Sequence, residues 1–439
     1  MNHEPIYDPL QYESGVPFAL LERLRADNAV VWVNEHTLPN WPGGQGFWLV
    51  LRHREVGLVM KNPRVFSSAL GATQLLDPPS DEDLRYVRRM MLNMDPPEHT
   101  RLRRFLQSSF TSRAVAKLEA GIHEHARTIF DQALRQDSEG ECDFASQIAA
   151  DMPLLSLADI LGMPQEDRYL MFDWANRVIG FQDPDYKLSD SFDVSNGSDI
   201  ARQAVKYGPQ PDRQGNMPNP RAKNGMPDLY RYAHLLAEQK RKIPEDDVMS
   251  TLLGQVDDEG EQFSVEEFEN MFWLFAVAGN ETLRNGIPGG MLALLQHPQS
   301  LRQLRSDPGL LPQAVDEMLR WWTPVMNFRR TAAEDTELAN VQIRAGDKVV
   351  VSFIAANRDP LVFENPDEFN IRRKPNPHYS FGYGPHFCLG AQLARTQMQA
   401  IFGELLRRLE HIESAGQVRY LRSNFQRGMK YLPIHWRRK

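Results

Sequence analysis

Apolar residues recur at three- and four-residue spacing through most of the chain, the signature of helices with one buried face. The stretches AVAKLEAGIHEHARTIFDQALRQ, DMPLLSLADILGM and YRYAHLLAEQKRK all carry it. PFALLERLRADNAVVWV predicts a helix running into a strand, and GFWLVLRHREVGLVMKNPRVF predicts strand-like chain followed by another helix. Alternation appears late. TELANVQIRAGDKVVVSFIAANRD predicts short strands around the turn signal AGD. The pattern is therefore mainly α with small β-sheets. One region breaks it: Gly208 to Pro227, GPQPDRQGNMPNPRAKNGMP, holds too many prolines and glycines for a continuous helix. Its composition equally fits a disordered surface loop.

The longest periodic segment is SVEEFENMFWLFAVAGNETLRNGIPGGMLALLQHP, Ser264 to Pro298. Ser264 and Glu267 form an S-x-x-E capping box at its start. A helix of this length would run roughly 45–50 Å. Its centre, Ala278 to Thr282, places a glycine, two polar groups and a hydroxyl inside an apolar helix. Leu274, Ala278 and Thr282 share a face, with room for something to lie against it. A plain polar stripe, with Thr282 bonding back to a carbonyl, is the simpler reading of those residues alone. Pro288 falls inside the pattern and predicts a kink.

Composition narrows the function. The chain has 439 residues, 41% hydrophobic and 25% charged, enough to bury a large core around a sizeable cofactor. A net charge of −8 disfavours binding to nucleic acid. No apolar run reaches the roughly 18 residues of a spanning helix, and the N-terminal residues lack a secretory pattern. Two cysteines, Cys142 and Cys388, form no disulfide framework, so a cytoplasmic location is expected. There is no GxxxxGK(S/T) loop and no strand–GxGxxG–helix unit.

Cys388 sits in YSFGYGPHFCLGAQLAR, just before a helix-like pattern. Zinc lacks enough nearby ligands, and an iron–sulfur cluster lacks thiolates. Three readings stay open: a buried structural cysteine, a reactive thiolate at a helix N-terminus, and a proximal ligand to haem iron.

The segment FGYGPHFCLG, Phe381 to Gly390, resembles the F-G-x-G-x-H-x-C-x-G haem-binding signature of the cytochrome P450 family of haem-thiolate monooxygenases. Three further segments resemble family motifs at the expected separations: EMLR, Glu317 to Arg320; AGNET, Ala278 to Thr282; and DPPEHTRLRRF, Asp95 to Phe105. The likeness spans nearly the whole chain and is to the soluble bacterial members. It implies the family's triangular, helix-rich single domain over 1–439. Haem b (iron protoporphyrin IX) would lie between the long central helix and the helix after the Cys loop. It also implies residue roles. Cys388 is the metal ligand. His99, Arg103, Arg330 and His386 hold the haem propionates. Phe381 shields the thiolate, and Ala278 and Gly279 leave a groove beside the haem. Glu281 and Thr282 are the catalytic acid–alcohol pair. Glu317, Arg320 and Arg373 are structural. Leu283 stands where a second hydroxyl residue is common in relatives.

By the same resemblance, Leu274, Phe275, Ala278, Val325, Met326, Asn327, Phe425 and Gln426 line the substrate pocket. Residues 187–227 form an extended lid-like loop over its entrance. The activity implied is insertion of one O2-derived oxygen into a hydrophobic small molecule, by hydroxylation or oxidative demethylation. Terpenoid, steroid or lipid-like compounds and small aromatics are the candidate substrates. Electrons would come from a ferredoxin-type donor and a separate reductase, docking on a basic patch that includes Arg101 and Arg104. A monomer is expected, with no nucleic-acid or membrane partner. The alternatives are an H2O2-driven peroxygenase and a non-catalytic haem-thiolate binding or sensor protein. The Glu281–Thr282 pair argues against both.

Overall fold

Every strand belongs to one of two compact units in the computed structural model, which describes residues 6–39, 41–135, 137–186, 189–213, 217–222, 224–257 and 260–439. That first unit comprises residues 1–67, 115–152 and 282–439; the second comprises 68–114 and 153–281 and is helical. The observed class is mainly α with small sheets, as the periodicity predicts.

In the first unit a five-stranded sheet runs in the order Val30–Val33, Phe47–Val50, Lys348–Ser352, Asn327–Ala332, Phe66–Ser67. Only the Phe47–Val50 and Lys348–Ser352 pairing is parallel. Lys348–Ser352 is buried at every position, so Val349, Val350 and Val351 follow one another without alternation. A second sheet joins Glu139–Asp143, Pro433–Arg438 and Leu409–Ser414. The helix Ser112–Leu134 buries Val115, Ile122, Ala126, Ile129, Phe130 and Leu134, the stripe its spacing predicts.

The central helix runs from Val265 to Gln296. Its capping box is formed: the Glu267 N–H donates to Ser264 Oγ at 3.1 Å, and the Ser264 N–H donates to Glu267 Oε2 at 2.9 Å. Pro288 does not end the helix. The glycines after it have a packing reason: a Cβ at Gly289 would lie 2.1 Å from the Trp322 ring, and one at Gly290 would lie 2.8 Å from Met318 Sδ. The helix Leu311–Trp322 therefore seats directly on this part of the central helix.

Below that contact lies a fully buried ion-pair network. Glu317 accepts from Arg320 Nε and Nη2, each at 2.8 Å, and neither side chain is exposed. Arg373 Nε reaches the same carboxylate at 3.2 and 3.3 Å. The two guanidiniums also donate to the carbonyls of Asn357, Glu364, Asn365, Pro366 and Glu368. A non-helical segment is thus wrapped around two buried cations. Among the described residues no helix is long and apolar enough to cross a membrane.

Removing one member of a buried pair leaves a desolvated charge, at a cost of about 3–5 kcal/mol. Arg320→Ala is therefore expected to lower the unfolding free energy by that order in urea titration. A loss below about 1 kcal/mol would show that the network is not structural.

Candidate functional site

The Cys loop is built on the network just described. Asn357 donates to Thr323 Oγ1 at 2.9 Å and Ser380 Oγ at 3.0 Å, and its Oδ1 accepts from the Tyr379 N–H at 2.7 Å. Ser380 Oγ donates to the Leu319 carbonyl at 2.7 Å. The loop therefore starts from a point fixed to the helix that carries Glu317 and Arg320. It turns through Gly382 and Gly384, both at φ +69°. A Cβ at Gly384 would meet Met60 O at 2.4 Å, so both backbone angle and close approach require glycine. A 3-10 turn, Gly384–His386, leads to Cys388, whose N–H donates to Phe381 O at 2.8 Å.

Cys388 is exposed, and the helix Ala391–Arg408 begins three residues later. Arg395 from that helix stacks 4.5 Å over the Phe381 ring and binds Asp316 Oδ1 at 2.7 Å. Asp316 also faces His378 at 3.5 Å. Burial alone would raise the Asp316 carboxyl, but hydrogen bonds from His378 and Arg395 outweigh it and hold it below the ordinary value. Asp316 was not legible as a site residue, because its partners lie 62 and 79 positions away. Cys142 contrasts with Cys388: it is buried in a strand, and burial pushes its thiol up to about 12.

On the central helix, Glu281 is buried, Thr282 and Gly279 are half-buried, and Ala278 is exposed. A Cβ at Gly279 would lie 2.9 Å from Leu157 Cδ2, so this glycine admits the helix Asp151–Leu161. Helix packing is thus one reason for a glycine here. Asn280, fully buried, donates from Nδ2 to the Met171 carbonyl at 3.3 Å and so ties the motif to the helix Arg168–Ile179. That tie was not read from the sequence.

His99 and Arg103 lie on the helix Glu98–Gln107, with His99 buried and Arg103 half-buried. Their neighbour Arg101 is not a free surface cation. It binds Asp257 at 2.9 Å and Glu267 at 2.5 Å. Arg330 is buried in the strand Asn327–Ala332.

Of the expected pocket residues, Leu274 is buried and Phe275 stacks on Phe110 with ring centroids 5.5 Å apart. Val325 pairs with Gln426 as an isolated bridge, and the Met326 N–H donates to Phe425 O at 3.0 Å. Asn327 Nδ2 donates to Asn424 O at 2.7 Å, and the Phe425 ring lies 5.6 Å from Phe328. Gln426 is buried and accepts from Asn285 Nδ2 at 3.0 Å. Its amide therefore already has a partner on the central helix.

Within 187–227, residues 187, 188, 214–216 and 223 lie outside the described residues. The rest is packed. Ser189, Ser191 and Phe192 donate to the Asp173 carboxylate. Arg221 is buried and donates to Leu76 O at 2.7 Å. Arg177, Phe181, Pro209 and Met217 border a cavity of about 200 Å³ beside this loop.

A family model described as Cytochrome P450 matches residues 230–425. A steroid C26-monooxygenase of Rhodococcus jostii is 36% identical over 436 residues, 98% of this chain and 84% of that protein. A methyl-branched lipid omega-hydroxylase of Mycobacterium bovis is 34% identical over 401 residues, 91% of this chain and 86% of the relative. Among solved structures, a Mycobacterium marinum cytochrome P450 in complex with pseudoionone superposes with a TM-score of 0.78 at 35% identity. It covers 95% of this chain and 94% of its own.

Gly384→Ala is expected to lower stability by ~1–3 kcal/mol from its left-handed backbone alone. Gly390→Ala should change thermal unfolding little, since its Cβ would meet no described protein atom within 4 Å. Equal losses for the two, measured by thermal unfolding, would refute the packing account of the loop.

Proposed function

The chain belongs to the cytochrome P450 family and is an enzyme of its monooxygenase class acting on hydrophobic substrates, and from that premise we propose which residues do the work and on what. Cys388 is the thiolate ligand of a haem. His99, Arg103, Arg330 and His386 hold the haem carboxylates. The observation that carries this reading is the Cys388 turn: an exposed thiol held by a glycine-dependent loop, directly before a helix N-terminus that favours a thiolate. The donor set suits the group chemically, with one thiol for an axial position and cationic side chains for two carboxylates. Bound there, haem would supply the iron centre for reductive activation of O2.

The chain's own residues would handle protons, water and substrate. Thr282 offers a hydroxyl that can accept and pass on a hydrogen bond, and Glu281 beside it is a carboxylate able to relay a proton. The Phe381 ring, covered by Arg395, excludes water from one side of the Cys loop. Asn280 and Leu157 set the path of the central helix at the motif.

The substrate we favour is a branched, aliphatic lipid or steroid-like molecule, hydroxylated at a terminal carbon. Support comes from the two curated relatives, which are named for the C26 position of steroids and the omega position of methyl-branched lipids. The apolar side chains Leu274, Phe275, Val325, Met326 and Phe425 suit such a ligand. Incubation with 18O2, NADH and a ferredoxin–reductase pair is expected to give a terminal alcohol carrying one labelled oxygen. Label from H2O2 in place of O2 would instead establish a peroxygenase, and no product from any aliphatic substrate would refute the substrate class.

Residues 187–227 act as the lid. Arg221→Ala removes its bond to Leu76 O and is expected to weaken substrate affinity several-fold in a spectral titration. Unchanged affinity would remove the lid from the account.

Electrons come from a separate ferredoxin-type protein. With Arg101 engaged, a cation beside the Cys loop is Lys61, whose ammonium lies 4.8 Å over the Tyr383 ring. Lys61→Glu is expected to slow reduction by the donor, most strongly at low salt. A rate independent of both charge and salt would place docking elsewhere.

A further inference from the structure

The second sheet of the first unit gathers metal-ligand chemistry that the monooxygenase reaction does not use. In its register His435 lies directly opposite Glu413 on one side and Glu141 on the other, and His411 lies opposite Arg437. Residues opposite one another, and residues two apart on a strand, share a face. His411, Glu413, His435 and Glu139 therefore project on the same side.

The side chains converge. His411 Nε2 is 3.3 Å from Glu413 Oε2, and His435 Nδ1 is 3.6 Å from Glu413 Oε1. The ligand atoms of His411, Glu413 and His435 all lie within 4.8 Å of one another. Ligand atoms about 2.0–2.1 Å from a tetrahedral zinc ion stand roughly 3.3 Å apart, close to the two histidine–Glu413 separations. On the far side of its ring, His435 Nε2 meets Glu139 Oε1 at 2.9 Å.

That last contact decides the chemistry. With Nε2–H donating to Glu139, a neutral His435 presents the Nδ1 lone pair toward a carboxylate oxygen. Nδ1 is buried and has no hydrogen-bond partner among the described residues. Two acceptors facing each other repel unless a cation sits between them. Protonating His435 would supply one; a metal ion would supply one and bring in His411 as well. A carboxylate accepting from the outer N–H of a ligating histidine is the usual support of such a site. Arg437 on the same face works against a cation, but its guanidinium is drawn to Glu410 at 2.5 Å.

The geometry points to a binding site for a borderline divalent cation of the zinc type. His411 Nε2, His435 Nδ1 and the Glu413 carboxylate are its ligands, Glu139 is the outer support of His435, and water completes the coordination. The ion cross-links the last strand, Pro433–Arg438, to Leu409–Ser414, and through Glu139 to Glu139–Asp143. Its role is to pin the C-terminal strand.

The test is calorimetric titration of untagged, haem-loaded, chelator-treated protein with ZnCl2. One equivalent per chain is expected to bind, with a rise in melting temperature that EDTA reverses. His411→Ala and His435→Ala each lose the high-affinity uptake, and Glu139→Gln weakens it by about tenfold or more. Cu2+ bound to the wild type shows two nitrogen couplings in its paramagnetic resonance spectrum, falling to one in either histidine variant. Absence of stoichiometric zinc uptake overturns the proposal. So does uptake undiminished in the double histidine variant, or a wild-type copper spectrum without nitrogen couplings.

Discussion

The buried carboxylate of Glu317 is the interaction on which the rest of the first unit depends. It receives two arginines, the Asn370 N–H at 2.9 Å and the Asn376 amide at 3.2 Å, with no water-exposed surface of its own. Each arginine then collects backbone carbonyls that a non-helical segment would otherwise leave unpaired. The segment from Asn357 to Asn376 gets its shape from these partners, since it has almost no regular structure of its own. Asn357 passes that constraint to Tyr379 and Ser380, and so to the turn that presents Cys388. The loop's position thus follows from charges buried some distance away in sequence.

The central helix is governed by a different constraint, the close approach of neighbours. Gly279 admits Leu157, and Gly289 admits Trp322. Asn280 and Asn285 each spend a side-chain amide on a partner outside the helix, Met171 O and Gln426. Polar residues inside this apolar helix therefore fix its neighbours. Thr282 and Glu281 sit between those two anchoring points, on chain whose path is set on either side of them.

Much of the fold was legible because its signals are local. Periodicity located the helices, and the Ser264–Glu267 cap marked the start of the longest one. The glycines around Cys388 marked a turn with left-handed backbone. The Arg373 partner of Glu317 was readable from the motif and is within hydrogen-bond reach. What sequence reasoning missed depends on partners far along the chain. Arg101 reads as a surface cation until Asp257 and Glu267 are placed beside it. The close approach of Leu157 to Gly279 joins positions 122 apart. The Pro- and Gly-rich stretch reads as disorder by composition, yet Pro220, Arg221, Gly225 and Met226 are buried. Gln426 pairs with Asn285, 141 positions away. Composition and spacing carry none of these pairings.

The central claim is that the Cys388 turn presents a thiolate to haem iron. The spectrum of the reduced, carbon-monoxide-bound protein tests it most directly, compared between the wild type and Cys388→Ser. The account predicts the strongly red-shifted Soret band of thiolate ligation in the wild type, and its loss in the variant with circular dichroism unchanged. A thiolate-type band that survives in Cys388→Ser, or a wild-type band of histidine-ligated haem, would contradict it.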